Sequence, residues 1–312
     1  MELIPLGTSS ASIVKSRGQS AYAIRANRDI FLFDCGDGTQ YQLLRAGISH
    51  MRIRVIFITH LHGDHYLGIF GLLMSMSLER RERKLIIVAP QGLSTIINSI
   101  SGLKPEDLTY PIQYINIEEG FESGEVYQHE RFRVSAHCLD HGIFCIGYRV
   151  EKDSNPAQID GKLAIRLGVT EPEQFKRLVA GEVVELSNGK MISPDQVRKD
   201  STTVFAYVSD TRPCSGGLAL ADHADLMIHE ATFSQTDMER ARETGHSTAL
   251  DAAHVAKKAN TKQLLLTHFS SRYRDVTVLE DEARSVFSDS EIAQEFRVYP
   301  IKPDPLPISP IL

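Results

Sequence analysis

Directly behind the apolar run Val55-Ile56-Phe57-Ile58-Thr59, the chain sets three imidazoles and one carboxylate into six residues, His60-Leu61-His62-Gly63-Asp64-His65. The run is short, continuous and rich in β-branched residues, which is the pattern of a buried strand. The strand delivers His60 to its end, and the turn behind it presents the rest. Imidazole nitrogen and carboxylate oxygen are ligands of Zn²⁺, with Mn²⁺ as the alternative. One ion cannot collect four side chains from so tight a turn. The economical arrangement is two ions sharing it, with His60 and His62 facing one and Asp64 and His65 the other. Gly63 lets the backbone bend between the pairs.

The rest of the chain repeats the device. Ile30-Phe31-Leu32-Phe33 reads as a strand ending at Asp34, and Thr203-Val204-Phe205-Ala206-Tyr207-Val208 as one ending at Ser209-Asp210. Ala224-Asp225-Leu226-Met227-Ile228 ends at His229, and Gln263-Leu264-Leu265-Leu266-Thr267 at His268. Further strand signals lie at 1–7, 85–88, 112–117, 132–136 and 144–150, with His141 just past one of them. Helices are expected over 38–46 (closed by Gly47), 93–101, 172–180, and from a Ser247 N-cap to about Lys258. Active sites gather where strand ends meet on one rim. A full ligand set then assembles: His60, His62 and His141 for one metal, Asp64, His65 and His268 for the other, and Asp210 as the bridge. Such a pair of ions lowers the pKa of a shared water and clamps a phosphate oxygen. Asp34 reads as a group that orients ligands.

Composition sets the limits. The 312 residues could hold one large domain or two, and no run of eighteen apolar residues spans a membrane. The N-terminus reads as a first strand and not as a signal peptide. Cys35, Cys138, Cys145 and Cys214 show no paired spacing, which predicts reduced thiols and a cytoplasmic location. The net charge of −6 argues mildly against a nucleic-acid partner, although a pair of cations would itself attract phosphate. From Glu151 to Asp200 the chain fills with turn-formers and mixed charge, the composition of a surface insertion. The proline-rich tail, 302–312, is expected to lie over the surface or loose.

The His-x-His-x-Asp-His turn, with the later His141, Asp210 and His268, resembles the metallo-β-lactamase fold. That resemblance implies an αβ/βα sandwich of two mixed sheets with helices outside. Finer motifs are similar to those of the tRNase Z family in its short form. These are Phe33-Asp34-Cys35-Gly36-Asp37-Gly38-Thr39-Gln40, His229-Glu230-Ala231-Thr232, Gly245-His246-Ser247-Thr248 and the segment from Leu266 to Tyr273. The resemblance runs over nearly the whole chain. It implies one domain over 1–312, with 151–200 as an inserted arm that grips tRNA, often from the partner subunit of a homodimer. The arm departs from the family pattern, with Glu171-Pro172 where Gly-Pro is usual. The family's basic N-terminal loop is replaced here by Lys15-Ser16-Arg17-Gly18, whose Lys15 and Arg17 are candidate phosphate contacts along with Arg272.

The activity implied is endoribonucleolytic removal of the 3′ trailer of precursor tRNA, just 3′ of the discriminator nucleotide, with two Zn²⁺ per chain. Asp64 is the candidate acceptor of the water proton. His246 is the candidate acid for the leaving 3′-oxygen, with Glu230 holding its imidazole. The alternative is a metallo-phosphodiesterase on the same scaffold, acting on small or cyclic nucleotide diesters.

Overall fold

The computed structural model describes residues 1–153, 159–198 and 202–302. The tail from 303 and Asn155-Pro156 of the insertion lie outside the described residues. The first half runs β1 (Glu2–Gly7), β2 (Ala21–Ala26), β3 (Asp29–Phe33), α1 (Thr39–Arg45), β4 (Ile53–Phe57), α2 (Gly63–Tyr66), α3 (Ile69–Leu78), β5 (Leu85–Pro90), α4 (Leu93–Ser99) and β6 (Ile112–Ile117). Then follow β7 (Ser123–His129), β8 (Phe132–Leu139), β9 (Cys145–Asp153), α5 (Gly161–Arg166), α6 (Pro172–Val179), β10 (Val184–Glu185), β11 (Met191–Ile192) and α7 (Pro194–Val197). The last part holds β12 (Thr202–Val208), α8 (Ser215–Ala221), β13 (Leu226–Glu230), α9 (Met238–Thr244), α10 (Ala249–Lys258), β14 (Leu264–Thr267), α11 (Thr277–Val286), β15 (Ser290–Ile292) and β16 (Tyr299–Pro300).

Two seven-stranded sheets result, ordered β16-β1-β2-β3-β4-β5-β6 and β15-β14-β13-β12-β9-β8-β7. Their facing sides bury an aromatic core in which Phe33 stacks on Phe57 at 4.8 Å and Tyr148 meets Phe57 at 5.1 Å. Outside, α1, α3 and α4 cover the first sheet, and α8, α10 and α11 the second, each over its own aliphatic cluster. This is the αβ/βα sandwich expected from the sequence. Strand direction explains the rim. β3 and β4 are parallel, as are β12, β13 and β14, and β8 runs with β12 because both are antiparallel to β9. The segments that follow β3, β4, β8, β12, β13 and β14 carry Asp34, His60, His141, Asp210, Thr232 and His268.

Several details differ from the sequence reading. Residues 151–153 belong to β9, where they pair with 202–204 of β12. The segment between is not merely loop: Ala164, Val169, Leu178, Val184, Leu186, Ile192 and Val197 bury a small core of their own. The N-cap of α10 is Thr248, not Ser247; its hydroxyl accepts from the Asp251 backbone N–H in a capping box. His229 lies inside β13, where its Nδ1 donates to the Glu230 carbonyl, 2.7 Å away. β7, α3, α8, α9 and α11 were not anticipated. The four cysteines form no disulfide, and no helix among the described residues is long and apolar enough to cross a membrane.

Leu178 is 1% exposed at the centre of the insertion's core. Leu178→Ala should cost about 2–5 kcal/mol of local stability. Hydrogen exchange should then show lost protection over 159–198 while both sheets keep theirs; equal loss in the sheets would contradict a separate core.

Candidate metal centre and active site

Three ring nitrogens converge at the rim. His62 Nδ1 lies 3.1 Å from His60 Nε2 and 3.2 Å from His141 Nε2. Burial is the first cause holding the pKa values of all three imidazoles below the ordinary value, and neighbouring imidazoles add to it. Three neutral rings facing one another with lone pairs have too few protons to satisfy one another, and neutral imidazole is the form that ligates. One ligand atom each from His60, His62, His141 and Asp210 lies within 4.8 Å of the others, and so do those of Asp64, His65 and His268.

Asp210 joins the two sets. Its Oδ2 is 3.7 Å from His60 Nε2 and 3.3 Å from His268 Nε2, while its Oδ1 is 3.5 Å from His65 Nε2. His65 Nε2 and Asp210 Oδ1 are both buried without a hydrogen-bond partner. Orphaned buried polar atoms are costly unless something satisfies them. Together with the donor chemistry, these orphans show that the residues present fit bound metal. Burial would raise the Asp64 pKa, but His268 and His65 outweigh it and hold the carboxyl well below the usual carboxylate range.

The far nitrogens are fixed by a layer of acceptors. Thr59 Oγ1 lies 3.0 Å from Asp34 Oδ2 and 3.0 Å from His60 Nδ1. A hydroxyl has one proton; spent on the carboxylate, it leaves an oxygen lone pair to accept from His60 Nδ1–H. Thr232 repeats the relay, donating to Glu230 Oε2 at 2.7 Å and accepting from His268 Nδ1–H at 2.8 Å. His141 Nδ1 donates to the Gly245 carbonyl at 2.7 Å. In each case the bond sets the tautomer and turns the Nε2 lone pair toward the cluster. His65 Nδ1 donates directly to Asp34 Oδ2 at 2.8 Å. Asp34 also accepts from Tyr207 at 2.5 Å and from the Thr59 backbone at 2.8 Å. Asp34 and His268 have φ of +54° and +60°, left-handed values that cost non-glycine residues about 1–3 kcal/mol each.

His246 belongs to a different unit. Its Nδ1 donates to Glu230 Oε1 at 2.9 Å and stands 4.0 Å from Asp210 Oδ2. Burial alone would lower the His246 pKa, but the Glu230 carboxylate outweighs it and raises the value to about 9. Glu230 is fully buried and also accepts from the Thr211, Thr232 and Ser247 backbone N–H groups, each at 3.0 Å. An overlapping set of Asp210, His246 and His268 could also ligate, but Glu230 occupies His246 Nδ1.

These groups line a cavity of about 520 Å³ whose opposite wall includes Ser10, Phe233, Arg240, Ser270 and Arg272. Arg272 donates to Asp237 at 2.9 Å and lies over Phe233, its guanidinium carbon 4.9 Å from the ring centroid. The other two phosphate-contact candidates are placed differently. Lys15 is exposed and outside this wall. Arg17 is half-buried, with its guanidinium 5.8 Å over Phe269 and one Nη 3.5 Å from the Tyr273 carbonyl, so it is not the free surface cation the sequence suggests. Sequence reasoning missed Thr59 and Thr232 as relays, Tyr207, and the Phe233 and Arg240 wall. The signal for the first two was present: Thr59 directly precedes His60, and Thr232 closes the His229-Glu230-Ala231-Thr232 motif already singled out.

Comparison with known proteins agrees with this geometry. Ribonuclease Z of Salinibacter ruber is 43% identical over 316 residues, covering 99% of this chain and 98% of that protein. The chain belongs to the ribonuclease Z family. Ribonuclease Z of Bacillus thuringiensis is 39% identical, with 96% of this chain and 99% of that protein covered. The crystal structure of human tRNase Z, short form, superposes with a TM-score of 0.71 at 28% identity, over 97% of this chain and 100% of that one. The sequence model of the family described as anti-Pycsar protein Apyc1 matches residues 1–140.

Asp34→Asn should weaken metal binding about 10- to 100-fold, because it removes the charge that His65 Nδ1–H donates to and replaces one of the two oxygens on which Thr59, His65 and Tyr207 converge. Competition against a chromophoric chelator measures this; unchanged affinity would mean the ligands hold themselves.

Proposed function

We infer that this protein is a metal-dependent endoribonuclease that removes the 3′ trailer of precursor tRNA, cutting the phosphodiester 3′ of the discriminator nucleotide and leaving a 3′-hydroxyl. Its whole-length similarity to proteins named ribonuclease Z supports the substrate. The observation that carries the chemistry is the buried Glu230–His246 pair standing beside a cluster of seven candidate ligands. The ligands would be His60, His62 and His141 for one Zn²⁺, Asp64, His65 and His268 for a second, and Asp210 for both. When bound, the cations would activate a shared water and neutralise the charge that grows on the phosphoryl oxygens.

The chain's own residues supply the protons and the orientation. Asp64 takes the proton released as the water attacks. His246 gives a proton to the leaving 3′-oxygen from Nε2, because Nδ1 is held by Glu230. Glu230 keeps the imidazole protonated near neutral pH and fixes its ring. Arg272, over Phe233 in the cavity wall, contacts the RNA backbone, and the exposed Lys15 extends that contact along the 11–18 loop, with Arg17 bracing the loop against Phe269.

The insertion would act as the arm that grips tRNA bound at the partner subunit of a homodimer. Its own core and its place between His141 and Asp210 support that role. Over 159–198 it carries six basic and six acidic residues, so its grip would depend on shape more than on charge. A compartment that keeps thiols reduced, the cytoplasm, suits the unpaired cysteines.

Purified protein should cut a precursor tRNA once, next to the discriminator, and a chelator should abolish the cut. His246→Ala should lose about 10²- to 10⁴-fold in single-turnover rate while elemental analysis still finds the wild-type metal content. Loss of metal together with rate would mean that His246 is a ligand instead.

The pH profile follows from the same pair. A general acid works only while protonated, and His246 is protonated below a pKa raised to about 9. The rate should therefore fall as pH rises through a value no higher than about 9, since bound cations repel an imidazolium and lower its pKa. His246→Ala should lack that descending limb; a limb unchanged in the variant assigns it to another group.

A further inference from the structure

The 8–18 loop is held by a residue that neither the ligand cluster nor the Glu230–His246 pair uses. Glu295 lies between β15 and β16, and its Oε1 accepts from the backbone N–H groups of Gly18 at 2.8 Å and Thr8 at 3.2 Å. One carboxylate oxygen thus fastens both ends of the loop. Its Oε2 accepts from Gln42 Nε2 of α1 at 3.1 Å, and the same nitrogen donates to the Leu6 carbonyl at 2.6 Å. Gly18 fits here because it lacks a Cβ, which would stand 2.6 Å from Gln42 Nε2. Phe296, the next residue, has φ of +68°, a left-handed value that is costly for a bulky side chain. Burial raises the Glu295 pKa above the ordinary carboxyl value, against the opposing pull of the three donors and Arg45. A half-buried charge and a strained backbone meet at one point, and the loop is what that point holds.

The loop reaches the site along its own length. Ser10, Ala11 and Ser12 form part of the cavity wall, and the Ser10 N–H donates at 3.2 Å to the carbonyl of Phe269, the residue after His268. Beyond them Lys15 is exposed and makes no ion pair with another described residue. Arg17 is already engaged by Phe269 and the Tyr273 carbonyl. A free ammonium on a loop fixed at both ends is a preorganised phosphate contact; on a loose loop the same lysine would have to be ordered on binding. We propose that Glu295 is a positioning residue for RNA, clasping the loop so that Lys15 meets a backbone phosphate of precursor tRNA. The inference rests on the endoribonuclease reading and adds the device that presents the loop. Glutamine cannot replace the carboxylate, because it has a single acceptor oxygen and would turn its amide donors toward other N–H groups.

Single-turnover cleavage of a precursor tRNA tests this. Glu295→Gln should raise the half-saturating protein concentration roughly 5- to 50-fold, with the maximal rate within about twofold of wild type. Its 9–17 amides should exchange faster while both sheets keep their protection. Lys15→Ala should raise the same concentration without loosening 9–17, and the double variant should bind no more weakly than Glu295→Gln alone. In each single variant the slope of log affinity against log salt should be shallower by about 0.7–0.9, the loss of one phosphate contact. A merely structural role would loosen the loop and leave that slope where it is. A fall in maximal rate with half-saturation unchanged overturns the inference and leaves the endoribonuclease reading standing. So does an unchanged half-saturation in Lys15→Ala, an exposed substitution that decides the matter even where Glu295→Gln fails to fold. If no precursor is cut at all, the parent reading falls and takes this one with it.

Discussion

A single buried carboxylate, Asp34, ties the two sheets together at the rim where the site is built. It leaves the end of β3 in the first sheet, yet accepts from Tyr207 of β12 in the second, from Thr59 after β4, and from His65 in the metal-binding turn. Four donors from three parts of the chain make a charge tolerable at 0% exposure. Remove the charge and each donor loses its reason to be where it is. The left-handed backbone at Asp34 fits this account: the strain persists because the surrounding bonds over-determine it.

Glu230 does the same for the other side of the site. Through Thr232 it orients His268, and through its second oxygen it holds His246. One carboxylate thus positions both a metal-ligand candidate and the acid candidate. The threonine relays at 59 and 232 explain why the polar layer can be dry. Each hydroxyl carries one proton between a carboxylate and an imidazole, so every buried hydrogen in the layer has an acceptor. The orphaned atoms, His65 Nε2 and Asp210 Oδ1, are left on the inner face, where ligation is expected.

The sequence made the site more legible than the fold around it. Ligand candidates are His and Asp at strand ends, and a strand of the Val55–Thr59 kind announces its own terminus, so His60, Asp210 and His268 could be placed before any coordinates. What escaped was set by tertiary context. β7 (SGEVYQH) is a polar edge strand and lacks an apolar alternation to read. α3 (IFGLLMSMSL) is apolar nearly all round and so lacks the period that marks a surface helix. The insertion's core uses seven residues scattered over 164–197, none of which forms a run. Ser247 reads as a cap because it is a hydroxyl just before a helix, but Thr248 stands one residue closer and Ser247 donates to the Thr211 carbonyl instead. The same limit applied to Arg17, whose exposure no local pattern reveals.

Net charge misleads for a physical reason. The value of −6 is spread over the whole chain, while screening at physiological salt confines its influence to roughly 8 Å. What a phosphate meets is the cavity. There Asp64 and Asp210 in the wall, with Glu230 paired to His246 behind it and Asp237 paired to Arg272, offset Arg240, Arg272 and the His246 imidazolium. Such a wall gives a polyanion little, whereas metal held by the His and Asp cluster would attract phosphate at the bond to be cut. An acidic protein can therefore act on RNA without the basic footprint of a nucleic-acid binder, provided that the cluster is loaded.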